Sequence, residues 1–331
     1  MWRIVTATFL AIGLALGSAR ASEASADPAW DSLPHLASPY QPYSLRLSPF
    51  YPRPNRAGGV ILRVRLNGGR PLRLLLDSGA DLIVISAKAG RSLGLGTGSE
   101  ADLVGLGTRP ARMGRAGTVE IGPVSFRNCP VALVNGKVAE GADGVIPLSL
   151  FSYFLLRLDL PEKTLGLIPY PREQDPADPP SRNSAQHHLL MVETVLNGKK
   201  NGYVVMDTGA YCSGISRDVA RTLGESPIAP DVRLAAGTGV ATGERISSPV
   251  HFAIAAQDLV PKEVVAMDLS NLSRHYGVEV MGVLGFPELS HYVLTIDYAT
   301  GQVRMEPPSS ISSRNLQGAQ NAELPASLAF H

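Results

Sequence analysis

Two short turns carry the residues whose type and spacing could do chemistry. Asp207 follows the apolar run Val204-Val205-Met206 and precedes Thr-Gly-Ala, while Asp77 follows Leu74-Leu75-Leu76 and precedes Ser-Gly-Ala. Each run is typical of a buried strand that ends in a tight turn. A carboxylate at the end of such a strand must be hydrogen-bonded, paired or functional, because burying an isolated charge is costly. Two such carboxylates held together could share one proton and supply an acid and a base at once.

The two turns belong to an internal repeat. Residues 66–94 align without gaps on residues 196–224, an offset of 130, and 11 of the 29 positions are identical. Unrelated segments of this composition would share about two, which argues against two unrelated β-turns. Further along, the offset grows to 138, and residues 143–148 and 154–159 match residues 281–286 and 292–297. The last pair leads into a turn and a short return strand in both copies, which is a hairpin signature. The chain is therefore two copies of one β-rich unit.

These motifs resemble those of the aspartic protease superfamily. Each copy has an Asp-Ser/Thr-Gly-Ala turn that closes an apolar strand, followed by a Gly-hydrophobic-hydrophobic segment and a hairpin. The copies are similar to the short, retroviral-type (retropepsin-like) lobe, fused here into a single bilobal chain. The resemblance covers residues 58–170 and 185–306. It implies an all-β, bilobal fold of two pseudo-twofold related β-barrel lobes, with the active site in the cleft between them.

The resemblance also implies roles for the residues of the two loops. Asp77 and Asp207 would be the catalytic carboxylates, and Ser78 and Thr208 would cross-link the loops by hydrogen bonds. Each loop would be braced from behind by a glycine-led apolar segment, formed by Gly144, Val145, Ile146, Gly282, Val283, Leu284 and Gly285.

Small residues complete both turns. By the same resemblance, Gly79 and Gly209 would let backbone N–H groups point at the carboxylates. Ala80 and Ala210 stand where many pepsin-like members carry a hydroxyl residue. Without that donor the ionised form is less stabilised, so the upper pKa of the pair should be raised. We therefore expect activity at mildly acidic to near-neutral pH.

The two copies differ at positions near the expected site. Pro147 stands where the second copy has Gly285, so the first bracing segment must accept a fixed φ and lose one N–H. Asp81 follows the first turn, but its counterpart is Tyr211, which favours a solvated or turn residue, with substrate contact as an alternative. No Tyr or Trp lies between the first turn and Gly144, and Gly-rich segments at 105–117 and 236–243 instead indicate two roughly symmetric flaps over the cleft.

The flanking segments have distinct compositions. Residues 1–21 read as a signal peptide, with an apolar stretch too short to span a membrane and a small-x-small cleavage site. Residues 22–57 are rich in proline and are either an N-terminal arm of the first lobe or a pro-segment. Residues 171–184 hold prolines and charges typical of an exposed linker. The tail, residues 307–331, is expected to be disordered.

Composition narrows the class of partner. The net charge is +1 and only 18 % of the residues are charged, which argues against nucleic acid or an anionic membrane as the main partner. The two cysteines, Cys129 and Cys212, are expected to be buried small residues, neither nucleophile, metal ligand nor disulfide. The histidines show no metal-ligand spacing, so no metal and no cofactor is expected.

The sequence therefore predicts an exported aspartic endopeptidase, periplasmic or secreted. It would act as a monomer on polypeptides in extended conformation, with no nucleic acid partner and no stable membrane insertion after signal cleavage. One alternative is a catalytically impaired protein of the same fold that binds peptides by strand addition. Another is a structural two-domain β protein of the cell envelope. The separation of the Asp77 and Asp207 carboxyls discriminates between them.

Overall fold

Three β-sheets organise the part of the chain that the structure describes. The structure is a computed structural model, and it describes residues 6–10, 15–16, 34–51, 58–170, 189–224, 227–247, 249–254, 257–308 and 328–329. The linker expected at 171–184 and most of the expected signal peptide and tail lie outside these residues. One sheet belongs mainly to the first half of the chain, one mainly to the second, and the third combines strands of both.

The first half contains one short α-helix, α1 (Ala87–Ser92), and a 3-10 helix at Leu148–Phe151. Its strands are β1 (Thr6–Leu10), β2 (Ala15–Leu16), β3 (His35–Leu36), β4 (Tyr43–Arg46), β5 (Ser48–Phe50), β6 (Gly59–Leu66), β7 (Leu72–Asp77), β8 (Ile83–Ser86), β9 (Gly96–Val104), β10 (Thr108–Ile121), β11 (Val124–Val134), β12 (Gly144–Pro147), β13 (Phe154–Asp159) and β14 (Thr164–Pro169).

The second half contains helices α2 (Arg217–Leu223), α3 (Ser270–Tyr276) and α4 (Phe286–Leu289). Its strands are β15 (Met191–Leu196), β16 (Lys200–Asp207), β17 (Ser213–Ser216), β18 (Pro227–Ala236), β19 (Gly239–Ile246), β20 (Phe252–Ile254), β21 (Gln257–Leu259), β22 (Val264–Met267), β23 (Val280–Gly285), β24 (Val293–Asp297), β25 (Gln302–Glu306) and β26 (Leu328–Ala329). The prediction of an all-β fold is confirmed.

The aspartate-bearing strands occupy equivalent central places in their sheets. In the first sheet, β12 runs parallel to β7 and antiparallel to β8. In the second, β23 runs parallel to β16 and antiparallel to β17. Pairing of β10 with β6 closes the first sheet on itself, whereas among the described residues the second sheet has no such closing pair. A barrel in each lobe stays a prediction.

Many identities in the repeat lie where local geometry demands a particular residue type. Asn67 and Asn197 have φ near 50°, and each precedes a glycine at positive φ, which suits the two-residue hairpin turns they occupy. Ser86 and Ser216 cap helices α1 and α2, because each side-chain oxygen accepts the N–H of the residue three positions on. The two helices therefore follow the aspartate turns at equivalent positions of the repeat.

The two predicted hairpins meet in the third sheet. Strand β13 pairs with β14, β24 pairs with β25, and β13 and β24 pair antiparallel with each other. The order of this sheet is β26-β25-β24-β13-β14-β4. Strands β26, β25 and β24 come from the second half and β13, β14 and β4 from the first, so the β13–β24 pair joins the two copies in one sheet.

Residues 34–51, the described part of the N-terminal segment, form strands of this structure. Strand β4 pairs with β14, and β5 pairs with β6. The side chains of Tyr43, Leu45, Leu47 and Phe50 are buried. Within the expected signal peptide, β1 lies beside β18 and β2 beside β9, and within the expected tail, β26 lies beside β25.

Candidate active site

The two aspartates lie at the ends of equivalent strands and are fully buried. Asp77 is the last residue of β7 and Asp207 the last of β16, and both have 0 % of their surface exposed. In each case the next strand of the sheet ends opposite the aspartate, at Pro147 and Gly285 respectively. The apolar runs that precede the aspartates fill both faces of their sheets, which leaves each carboxyl at the point where strand becomes turn.

One oxygen of each carboxyl is held by its own turn. The Gly79 N–H donates to Asp77 Oδ1 at 2.8 Å. Asp207 Oδ1 accepts two backbone N–H groups, from Gly209 at 2.8 Å and from Ala210 at 3.1 Å. Within the described residues, the Oδ2 atom of each aspartate is buried without a hydrogen-bond partner. These two oxygens are therefore the ones available for a shared proton or a reactant.

The two loops touch at the carboxyls. A Cβ placed on Gly79 would lie 2.6 Å from Asp207 Cγ and Oδ2, so only glycine allows the first loop to approach the second carboxyl this closely. The structure thus brings Asp77 and Asp207 together, although they are 130 residues apart. We call these two carboxyls the dyad.

Ser78 and Thr208 interlock the loops through a reciprocal set of buried hydrogen bonds. Thr208 Oγ1 donates to the Leu76 carbonyl (2.8 Å) and accepts the Ser78 N–H (3.1 Å). Ser78 Oγ donates to the Met206 carbonyl (2.6 Å) and accepts the Thr208 N–H (3.0 Å). Each hydroxyl therefore satisfies a donor and an acceptor of the opposite loop, which would cost stability if left unpaired. The pseudo-twofold relation of the repeat is visible in this exchange.

Burial and mutual repulsion favour a protonated dyad. Burial raises the pKa of Asp77 well above the ordinary aspartate range, and so does the charge of Asp207, while the Gly79 N–H lowers it. Burial likewise raises the pKa of Asp207 to about 7, against the lowering effect of the Gly209 N–H, the Asp77 carboxyl and the Ala210 N–H. The direction agrees with the expectation from Ala80 and Ala210, but the leading cause is burial, which the missing hydroxyls do not explain. The proton belongs to the pair, because the two groups titrate together.

Close packing explains the glycines of the bracing segments. A Cβ on Gly144 would lie 2.1 Å from the Val84 carbonyl oxygen, and one on Gly282 would lie 2.6 Å from the Gly214 carbonyl oxygen. The residues that follow these glycines are buried beside the aspartate strands, namely Val145, Ile146, Val283 and Leu284. Both segments therefore lie where the sequence places them, directly behind the loops.

In the second half, a polar set fixes the end of the bracing segment. Ser213 Oγ accepts the Gly285 N–H at 3.0 Å and donates to the Glu288 carboxylate. Gly285 has no room for a side chain, since a Cβ would lie 2.6 Å from the Cys212 carbonyl oxygen. A proline at this position would both clash and leave the Ser213 hydroxyl without its donor.

In the first half, apolar residues replace the serine and glutamate that surround Gly285 in the second half. This explains how Pro147, which has no N–H, is tolerated at the matching position. The positions that match Ser213 and Glu288 are Ile83 and Leu150, and both are buried and apolar. The N–H that proline lacks thus has no acceptor waiting for it. Pro147 also has φ of −70°, the value its ring prefers, so it introduces no backbone strain.

The two Gly-rich segments contain hairpin turns that contact each other. The turn between β9 and β10 contacts the turn between β18 and β19, where the Gly107 N–H donates to Thr238 Oγ1 at 3.3 Å. Arg109 donates to the Gly237 carbonyl at 2.9 Å and to the carbonyls of Asn135 and Lys137. The role of Arg109 was not predicted, because a single arginine beside a Gly-rich turn is not part of any recognisable sequence motif.

Asp81 and Tyr276 form a further contact between the halves. The Tyr276 hydroxyl, at the end of α3, donates to Asp81 Oδ2 at 3.1 Å. Asp81 is therefore engaged by the other half of the chain and is not a freely solvated turn residue. The only sequence signal was the growth of the offset from 130 to 138, which indicates an insertion in the second copy without saying what it contacts.

Comparison with known families adds an independent observation to this geometry. Residues 62–150 match the aspartyl protease family. These residues belong to the aspartic protease superfamily. The match contains the Asp77 loop and its bracing strand β12, and the internal repeat extends the same pattern to the Asp207 loop. No curated protein sequence matches the chain closely enough to add to this result.

The residues that the structure describes were also compared with the requirements of a metal site, a membrane-spanning helix and a reactive thiol. No three His, Cys, Asp or Glu side chains there group as they would around a metal ion. No helix there is long and apolar enough to cross a membrane. Cys129 and Cys212 are buried and form no disulfide with each other, and burial raises the pKa of the Cys129 thiol to about 12, which disfavours the thiolate.

Proposed function

We propose that the chain is an aspartic endopeptidase in which Asp77 and Asp207 hydrolyse peptide bonds. The observation that carries this proposal is the interlocked pair of loops, which holds two fully buried carboxyls together with one unpartnered oxygen on each. A structural β protein would gain nothing from such a pair, because burying two carboxyls without mutual use costs stability.

In the proposed reaction, the dyad holds one proton. The ionised carboxyl removes a proton from a water molecule, whose oxygen bonds to the peptide carbonyl carbon. The protonated carboxyl gives its proton to the carbonyl oxygen. Collapse of the tetrahedral intermediate breaks the C–N bond, and the carboxyl that took a proton from water passes it to the leaving amine. One hydroxyl of the intermediate becomes the new carbonyl and returns its proton to the other carboxyl, so the dyad again holds one proton. Raised pKa values allow this one-proton state to persist toward neutral pH.

We propose polypeptides in extended conformation as the substrates. Hairpins β9–β10 and β18–β19 would act as flaps over the dyad, and their backbone groups would hold such a chain by strand-type hydrogen bonds. We propose that the protein works as a monomer, since both aspartates come from one chain. We also propose that it is exported through the N-terminal signal sequence to the periplasm or beyond. No cofactor enters the proposed reaction.

Replacing either aspartate tests the proposed function. Asp77→Asn and Asp207→Asn should each abolish cleavage of an unfolded protein substrate, because neither variant can hold both an acid and a base. Both should stay folded, since asparagine fits the same space and removes charge repulsion. Glu120→Gln, an exposed change of the same kind, is the matched control and should cleave like the wild type. Full activity in either aspartate variant would refute the proposal.

The alternative of a peptide-binding protein without catalysis has lost its main support. It rested on Pro147, and the apolar partners of that residue remove the objection. A statine-type transition-state mimic still separates the two functions, because it binds tightly only where a dyad stabilises the tetrahedral geometry. Inhibition of cleavage by the mimic at a concentration far below that of the competing substrate would favour the endopeptidase.

A further inference from the structure

We propose that Asp81 and Tyr276 form a positioning pair that keeps the shared proton of the dyad on Asp77 and leaves Asp207 as the base. The proposal rests on the proposed function. It starts from an asymmetry: the repeat places Tyr211, not a carboxylate, at the position in the second half that corresponds to Asp81. The two aspartate loops therefore share the same backbone pattern, but the first is followed by a carboxylate, Asp81, and the second by a neutral side chain, Tyr211.

An added helix delivers Tyr276 to this place. Residues 268–281 separate β22 from Gly282, whereas the shorter segment 135–143 separates β11 from Gly144. The longer segment contains α3, which lies against β9 of the other half. Helix α3 is part of the inserted sequence and has no counterpart helix in the first half's described segment.

The helix is held rigidly, so its last side chain has a fixed direction. The side chain of Leu272, a residue of this helix, is fully buried. Asp268 Oδ1 accepts the Ser270 N–H at 2.9 Å at the start of the helix, and Ser273 Oγ accepts the Val280 N–H at 3.0 Å. Gly277 then ends the helix with φ of 69°, a value that glycine adopts at little cost. Tyr276 thus reaches Asp81 from an anchored element.

The contact fixes a negative charge on the Asp77 side of the dyad. Among the described residues, the titratable groups that interact with the charge of Asp81 include Asp77 on β7, Tyr276 on α3 and Tyr298 after β24. Besides burial, which is the larger cause, the Asp81 charge raises the pKa of both tyrosine hydroxyls, so they stay protonated and able to donate. The same charge adds to the raised pKa of Asp77.

Backbone hydrogen bonds stabilise the ionised form of the two aspartates to different extents. Asp207 Oδ1 accepts two N–H groups and Asp77 Oδ1 accepts one, so the ionised form is better stabilised at Asp207. The Asp81 charge disfavours the ionised form at Asp77. Both effects place the proton on Asp77, which would then be the acid toward the carbonyl oxygen, with Asp207 the base toward water.

The test is the pH dependence of kcat/KM in Asp81→Asn. Removing the charge beside Asp77 should make the dyad lose its shared proton at lower pH, so the alkaline limb of the profile should move to lower pH. Activity at pH 7 should fall several-fold relative to activity at pH 5. Asp81→Glu should restore most of the wild-type profile, while the exposed Glu120→Gln should leave the limb unmoved, because solvent screens its charge. An unchanged limb in Asp81→Asn would overturn the proposal.

Tyr276→Phe separates positioning from simple structural support. It keeps the Asp81 charge but frees it to turn away, so the limb should move in the same direction by a smaller amount. The double variant should match Asp81→Asn, because the hydroxyl acts only through Asp81. Additive shifts would contradict the pairing. Tyr276→Phe also serves as the informative variant if Asp81→Asn does not fold.

The position of the shared proton can also be measured without substrate turnover. Carbon-13 NMR of the aspartate carboxyls in the wild-type protein should show Asp77 keeping its proton to higher pH than Asp207. The reverse order would overturn the assignment even in an active enzyme. Absence of any dyad-dependent cleavage in the wild type would instead refute the proposed function, and the two failures are therefore distinguishable.

Discussion

At the scale of single residues, the dyad works against the stability of the fold while it enables chemistry. An isolated aspartate titrates near pH 3.9, and burial raises the pKa of Asp207 to about 7. Between these values the folded protein binds more protons than the unfolded chain. Stability contributed by such a group is full at low pH and declines as pH rises through the folded pKa.

This gives a prediction for Asp207→Asn. The free energy of unfolding of the wild type, relative to that of the variant, should fall between about pH 4 and pH 7, by at most about 1.4 kcal/mol per pH unit. Urea unfolding at a series of pH values measures the difference, and the contributions of groups outside the dyad cancel in it. A difference that rises with pH, or stays flat, would contradict the raised pKa. Glu120→Gln supplies the baseline for an exposed carboxylate.

At the scale of elements, the Arg109 side chain links the two flap hairpins, beside the hydrogen bond from the Gly107 N–H to Thr238 Oγ1. Arg109, on β10, donates to the carbonyl oxygen of Gly237 in the opposite flap and to the carbonyls of two residues in its own half. A guanidinium can serve several carbonyls at once because its donors are arranged in a planar fork, and a lysine ammonium cannot reproduce that geometry. The contact between the flaps should therefore depend on arginine and not merely on positive charge.

Arg109→Lys should loosen the contact between the flaps. We expect faster amide hydrogen exchange in residues 232–243 and a higher KM for a polypeptide substrate, with the dyad chemistry intact. Arg112→Lys is the matched control, since Arg112 lies on the same strand and forms an exposed ion pair with Glu100. Equal exchange rates in the two variants would show that Arg109 does not hold the flaps together.

At the scale of the whole molecule, residues 34–51 are part of the folded body. Burying four large apolar side chains, Tyr43, Leu45, Leu47 and Phe50, stabilises the fold by about 6–12 kcal/mol at roughly 1.5–3 kcal/mol each. The net stability of a typical domain is only about 5–15 kcal/mol. Loss of this segment would therefore remove a large part of the stability, which favours a permanent arm over a pro-segment.

Truncation tests this interpretation. A chain that begins at Pro34 should fold and keep its activity, while one that begins at Gly58 should be unfolded or aggregate. Removal of the residues after Pro308 is the control for shortening the chain and should have a small effect. N-terminal sequencing of the exported protein should place its first residue before Pro34. An active protein that begins at Gly58 would establish a removable pro-segment.

The sequence by itself determined the dyad, the loops around it and the doubled β unit. These features are local: Asn67-Gly68 specifies its turn, Ser86 caps its helix, and the glycine at 144 is required by backbone packing. Residue types with such narrow conformational roles leave a visible pattern when the chain repeats them.

Only the tertiary structure decided how the two copies are joined and where they differ. The β13–β24 pair, the Arg109 contact with Gly237 and the Tyr276 hydrogen bond to Asp81 connect residues more than 100 positions apart. Ordinary residue types make these contacts, so no spacing announces them. The sequence did not show that Pro147 is tolerated, for the same reason. Its tolerance depends on the apolar residue Ile83 on a neighbouring strand, and the neighbours in a sheet are set by folding and not by order along the chain.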